Sequence, residues 1–164
     1  MMKKVKNQNQ TQNNSEVFQK AQSYSLRLLS IRLRTEKEIR DKLFQKDYPP
    51  DVIDIVLQKL TTSNLINDVR FAQLWFESRK NLKNKSNFFI EMELKQKGIS
   101  DEIINQISKE PKESSDLNSA KKLLERKKHL FDKKIGREKL QKQQQYLMRN
   151  GYSWETVKNV TTED

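Results

Sequence analysis

The sequence predicts an all-α protein built from three tandem three-helix repeats, and three observations carry that prediction. A heptapeptide recurs: Leu43-Phe44-Gln45-Lys46-Asp47-Tyr48-Pro49 is followed 51 positions later by Leu94-Lys95-Gln96-Lys97-Gly98-Ile99-Ser100, and 53 positions after that by Leu147-Met148-Arg149-Asn150-Gly151-Tyr152-Ser153. Apolar positions downstream keep the same offsets, with Ile53, Ile104 and Val157 in one set and Val56, Ile107 and Val160 in another. A nearly constant spacing of this kind is the signature of one small structural unit used several times. The composition agrees, because 34% apolar and 34% charged residues with only three Gly and three Pro suit helices with broad solvated faces.

The heptapeptide itself reads as a helix end, a tight turn and a helix start. Each copy carries a leucine on an amphipathic helix and then Asp47, Gly98 or Gly151, residue types that tolerate the left-handed conformation at a helix terminus. An apolar residue folds back onto the helix, and Pro49, Ser100 or Ser153 opens the next one. Asp51, Asp101, Glu102 and Glu155 place negative charge in the following first turns, where the helix dipole is positive.

Taken in order, residues 1–15 are polar and basic with a single Val, too little apolar surface to offset the entropy of ordering, and are expected to form a disordered tail. The first repeat is expected over residues 16–66. Phe18, Ala21, Tyr24, Leu28 and Ile31 recur at helical spacing, and Thr35 to Glu38 forms a capping box ahead of Ile39 and Leu43. A third helix carries Ile53, Val56, Leu57 and Leu60. The second repeat, 67–110, opens with Asn67 as N-cap and has Phe71, Ala72, Leu74, Trp75 and Phe76 on its first helix. Phe88, Phe89, Met92 and Leu94 line its second, and Ile99, Ile103, Ile104 and Ile107 complete it. Residues 111–115 read as a linker, since Pro111 stops a helix and serines cap the next. The third repeat, 116–164, places Leu117, Ala120, Leu123, Leu124, Leu130 and Phe131 on its first helix. Leu140, Tyr146 and Leu147 mark its second, and Trp154, Val157 and Val160 a short last one. Its first connection is about five residues longer than that of repeat two, which puts Lys133, Lys134 and Gly136 in a basic loop.

Cysteine is absent, which excludes disulfides and thiolate metal sites. No run of 18 apolar residues and no signal-peptide core are present, so the reading is a cytoplasmic protein with no membrane partner, expected to be monomeric. The net charge of +11 points to nucleic acid or to an acidic protein surface. It is concentrated late in the chain, where residues 120–142 hold ten Lys or Arg against three acids. Two basic runs sit at the exit of a repeat's first helix: Arg79, Lys80, Lys83 and Lys85 in repeat two, and Lys127, Lys128, Lys133, Lys134 and Arg137 in repeat three. These nine residues are the candidate binding surface. Trp75 and Phe76 beside Arg79 have the composition of a base-stacking platform, but at helical spacing next to Ala72 core packing is the favoured reading.

Nothing in the sequence suggests catalysis, and no cofactor is expected. His129, the only histidine, lies among Lys127, Lys128 and Leu130 as a surface residue, and the paired acids Glu36 and Glu38 or Asp101 and Glu102 are helix N-terminal charges. A helical nucleic-acid-binding protein or transcriptional regulator is the alternative function, since small three-helix units can resemble helix-turn-helix domains. No single helix, however, aims Arg, Asn or Gln as a base reader would.

Three segments resemble the RecX family, whose members modulate the RecA recombinase. They are Leu29-Ser30-Ile31-Arg32-Leu33-Arg34-Thr35-Glu36-Lys37-Glu38-Ile39 with Leu43, then Leu65-Ile66-Asn67-Asp68-Val69-Arg70-Phe71-Ala72, then Glu93-Leu94-Lys95-Gln96-Lys97-Gly98-Ile99. The chain departs from the family at Asn67-Asp68, where two acids are usual, and at Ser86, where glycine is usual. The resemblance implies three three-helix repeats in an elongated, curved array. It implies a non-enzymatic protein that binds RecA, alone or as its filament on single-stranded DNA, lying along the filament groove with possible direct DNA contact. Most members inhibit ATP hydrolysis, strand exchange and coprotease activity. The nine basic residues would then face the filament.

Overall fold

The heptapeptide folds the same way three times. Leu43, Leu94 and Leu147 are each fully buried. Each leucine carbonyl accepts from the amide five residues on, at 3.3 Å from Tyr48, 3.1 Å from Ile99 and 3.3 Å from Tyr152. Asp47, Gly98 and Gly151 take φ of 58°, 84° and 86° and donate to the carbonyl three residues back. This pair of bonds is the Schellman closure, which satisfies carbonyls that a helix end leaves without partners. The next helix starts at once. Ser100 and Ser153 accept from the amides of Ile103 and Thr156 at 3.4 and 3.2 Å, while the first copy relies on the preset φ of Pro50 at the first helical position.

The computed structural model describes the backbone of residues 2–108 and 112–162 and the side chains of residues 15–108 and 115–162. Among the described residues there are nine α-helices and no strand: α1 (Met2–Ile31), α2 (Glu36–Phe44), α3 (Pro50–Thr62), α4 (Asp68–Glu77), α5 (Asn87–Gln96), α6 (Asp101–Ile107), α7 (Lys112–Arg126), α8 (Gly136–Arg149) and α9 (Trp154–Thr161). A π-helical turn, Ser78–Leu82, extends α4, and a short 3-10 turn, Lys128–Leu130, follows α7. The helix α1 begins upstream of the Glu16 start read from the sequence. The side chains of residues 1–14, where the polar tail was read, lie outside the described residues. Likewise α7 begins at Lys112, inside the stretch read as a linker, whose Pro111 lies outside the described residues.

Contacts divide the chain into two compact bodies, Met1–Phe71 and Ala72–Asp164. In the first, α1, α2 and α3 pack on one another around Ala21, Leu28, Ile39, Leu43, Val56 and Leu57. Thr35 caps α2 by accepting from the Glu38 amide at 3.1 Å, and Asn67 caps α4 by accepting from Arg70 at 2.8 Å. The Asp68 carboxylate takes the Glu36 amide at 3.0 Å, and burial pushes its pKa above the ordinary carboxylate value. Ile31, placed on the inner stripe by its spacing, is exposed because it is the last residue of α1.

In the second body repeats two and three are packed together. Ser86 caps α5 by accepting from Phe89 at 3.1 Å, so serine serves where the family's usual glycine is missing. The buried stripe of α5 is Asn87, Ile90 and Leu94, one turn-spaced row, and this leaves Phe88 and Met92 outside. Leu74, Leu130 and Trp154, also read as inner residues, are exposed. Leu130 sits beyond the end of α7, and Trp154 is the first residue of α9, where Tyr152 and Val157 fill the core instead. The two repeats interlock at their turns. The Tyr152 hydroxyl donates to the Asn84 carbonyl at 2.7 Å, and a Cβ at Gly151 would stand 2.6 Å from Ser86 Oγ.

Candidate functional site

The run in repeat two is mostly committed to holding the fold. Glu93 Oε2 accepts from Trp75 Nε1 at 2.8 Å and from Arg79 Nε at 2.6 Å. The Arg79 guanidinium lies 3.9 Å from the Trp75 ring centroid and the Lys97 ammonium 4.3 Å from it. Trp75 is therefore half-buried between two cations, a different environment from both the apolar core and an open stacking platform. Lys80 pairs with Asp116 at 2.7 Å, with side chains 11% and 14% exposed, and also donates to Asn87 Oδ1 at 2.8 Å. The same Asp116 oxygen accepts the Asn87 amide at 3.0 Å. Lys85 reaches Asn150 Oδ1 at 2.9 Å over the ring of Phe89, and burial pushes its pKa down. Lys83 is the exposed member of the four.

The run in repeat three is more open. Lys127 is half-buried, while Lys128, Lys133 and Arg137 are exposed. Lys128 pairs with Glu125 at 2.8 Å and Lys134 with Glu138 at 2.6 Å, both in solvent-exposed geometry, where such pairs contribute little. Among the described residues Lys133 and Arg137 have no ion-pair partner. The extra length of repeat three is taken up partly by the helix, since α8 has 14 residues against 10 in α5. Gly136, read as loop, is the first residue of α8, with φ of 53°.

The structure thus brings the two runs into one body and, of the nine candidates, leaves Lys83, Lys133 and Arg137 exposed with no ion-pair partner among the described residues. Which cations are tied was not legible from spacing, because their acids and amides come from elsewhere in the chain. The sequence reading also passed over Ile135, exposed between Lys134 and Gly136; its signal was an isoleucine inside a basic loop. His129 is exposed on the 3-10 turn. Among the described residues no group of three or more His, Cys, Asp or Glu side chains could hold a metal ion, and no helix is long and apolar enough to cross a membrane.

Models of the three RecX three-helix domains match this chain in order: the first over residues 21–60, the second over 67–107 and the third over 114–161. The chain belongs to the RecX family. Its curated relatives include the regulatory protein RecX of Listeria welshimeri, 34% identical over 91% of this chain and 55% of the relative. The regulatory protein RecX of Amycolatopsis mediterranei is 32% identical over 68% of this chain and 64% of the relative. The chain therefore spans about half the length of the Listeria protein. Among solved structures, RecX from Lactobacillus salivarius superposes with a TM-score of 0.76 at 28% identity, covering 91% of this chain and 97% of that one. A second structure of a regulatory protein RecX gives 0.80 at 28% identity, covering 96% and 78%. The RecX domain succession coincides with the three copies of the leucine turn, so each domain contains one buried leucine, Leu43, Leu94 or Leu147, at its second helix end.

Proposed function

We propose that this protein is a non-enzymatic regulator that binds RecA, alone or as its filament on single-stranded DNA, and inhibits ATP hydrolysis, strand exchange and coprotease activity. The observation that carries the reading is the ordered match of all three RecX domains, each with its turn intact. The free cations support it. Lys83, Lys133 and Arg137 offer positive charge to a filament that carries phosphates and acidic side chains, and contacts of that kind release counterions and weaken with salt.

The test is ATP hydrolysis by RecA on single-stranded DNA, measured across a titration of the purified protein. The expected result is a concentration-dependent fall in hydrolysis, unchanged by His129→Ala. DNA binding with no effect on RecA would overturn the reading in favour of a RecA-independent nucleic-acid binder.

A further inference from the structure

We propose that the segment from Leu130 to Arg137 is a docking tip for an acidic protein surface, with Ile135 as its apolar anchor. This rests on the regulatory reading above and asks which part of the filament the tip meets.

Ile135 is 88% exposed and Leu130 51%, although Phe131 beside them is buried with its ring edge-on to Tyr146 at 5.7 Å between centroids. Ile135 occupies the N-cap of α8 and supplies no capping oxygen. In the two preceding repeats the residue at the same helix start, Thr35 or Ser86, is buried and accepts an amide. An isoleucine there disfavours the free protein twice, by leaving apolar surface in water and by leaving an amide uncapped. Gly136 next to it, at φ of 53°, has nothing within 4 Å of where a Cβ would stand. That glycine serves the backbone turn that carries Ile135 outward, since no neighbour demands it.

The surroundings name the partner's chemistry. Lys133 and Arg137 flank Ile135 without ion-pair partners among the described residues, and the Lys134–Glu138 pair is open to exchange. Single-stranded nucleic acid is gripped by cations together with exposed aromatic faces, and the only aromatic ring in the tip is buried. An aliphatic anchor with an unpaired cation two positions to either side, Lys133 and Arg137, and one exposed acid, Asp132, in the segment instead matches an apolar pocket rimmed by carboxylates, the usual anatomy of a small protein–protein contact.

The experiment compares wild type with Ile135→Ser, Ile135→Val and the pair Lys133→Gln/Arg137→Gln. Each is measured for binding to free single-stranded DNA, to RecA without DNA and to the RecA filament. Ile135→Ser restores a capping oxygen, so its thermal stability should equal or exceed wild type while its affinity for RecA falls on the order of tenfold. Binding to free DNA should not change, and Ile135→Val should keep most of the affinity. The double Gln variant should bind RecA more weakly and with a shallower salt dependence. Unchanged RecA binding by Ile135→Ser, or an equal loss on free DNA, overturns the docking tip while leaving the regulatory reading standing. A wild-type protein that neither binds RecA nor alters its ATP hydrolysis overturns both.

Discussion

Gly151→Ala is the sharpest probe of how repeats two and three hold together. At φ of 86° an alanine is forced into the left-handed region, which costs roughly 1–2 kcal/mol. Its Cβ would also stand 2.6 Å from Ser86 Oγ and 2.9 Å from Phe89 Cβ. Ser86 Oγ is the acceptor that caps α5 at 3.1 Å from the Phe89 amide, so moving it weakens the cap while leaving Phe89 still in contact. Overpacking of this kind typically costs about 1–3 kcal/mol, for a total of roughly 2–5 kcal/mol. Gly136→Ala supplies the control. It has the same conformational penalty at φ of 53° but open space around the new Cβ, so its cost should stop at about 1–2 kcal/mol. Thermal and urea denaturation of the two variants would separate the terms. In a body of roughly 90 residues each kcal/mol shifts the midpoint by about 4–8 °C. Equal losses for the two substitutions would refute the claim that Gly151 is required for close packing between repeats.

Two further outcomes follow from the polar contacts. Asp116→Ala strips the partner from a mostly buried Lys80 and from the Asn87 amide and should cost about 3 kcal/mol by urea denaturation, whereas the double change Lys80→Met/Asp116→Leu should recover most of it; a loss as large in the double variant would count against the pair as the cause. Asp68 has its pKa raised in the folded state, first by burial, so the contribution of this group is lost as pH rises through its folded pKa. Asp68→Asn can keep the oxygen that accepts the Glu36 amide at 3.0 Å and should stabilise the protein at pH 7, with the gain vanishing below about pH 3, where the carboxyl is protonated in both states. A gain of equal size at both pH values would rule out ionisation as its source.

The all-α class, the three repeats and their turns could be read from the sequence because each depends on residues within one or two helical turns. A leucine, a residue that accepts positive φ and a following Ser or Pro are sufficient to specify the closure at Leu43, Leu94 and Leu147. The same holds for the caps at Thr35 and Asn67. The order of the RecX segments was legible for the same reason, being a matter of succession along the chain.

Which face of each helix is buried, and which cations are free, was decided only by tertiary packing. Phe88 and Met92 are as apolar as Ile90 and Leu94, so composition does not say which row of α5 turns inward; the neighbours that cover it do. Lys80 meets Asp116 across 36 positions and Lys85 meets Asn150 across 65. No local pattern encodes those distances. Glu93 and Trp75 hold Arg79, Asp116 on α7 holds Lys80 and Asn150 in the turn of repeat three holds Lys85, while Lys83, Lys133 and Arg137 stay in solvent. Ile135 is 88% exposed although Phe131, four positions before it, is buried, a difference that hydropathy alone does not set.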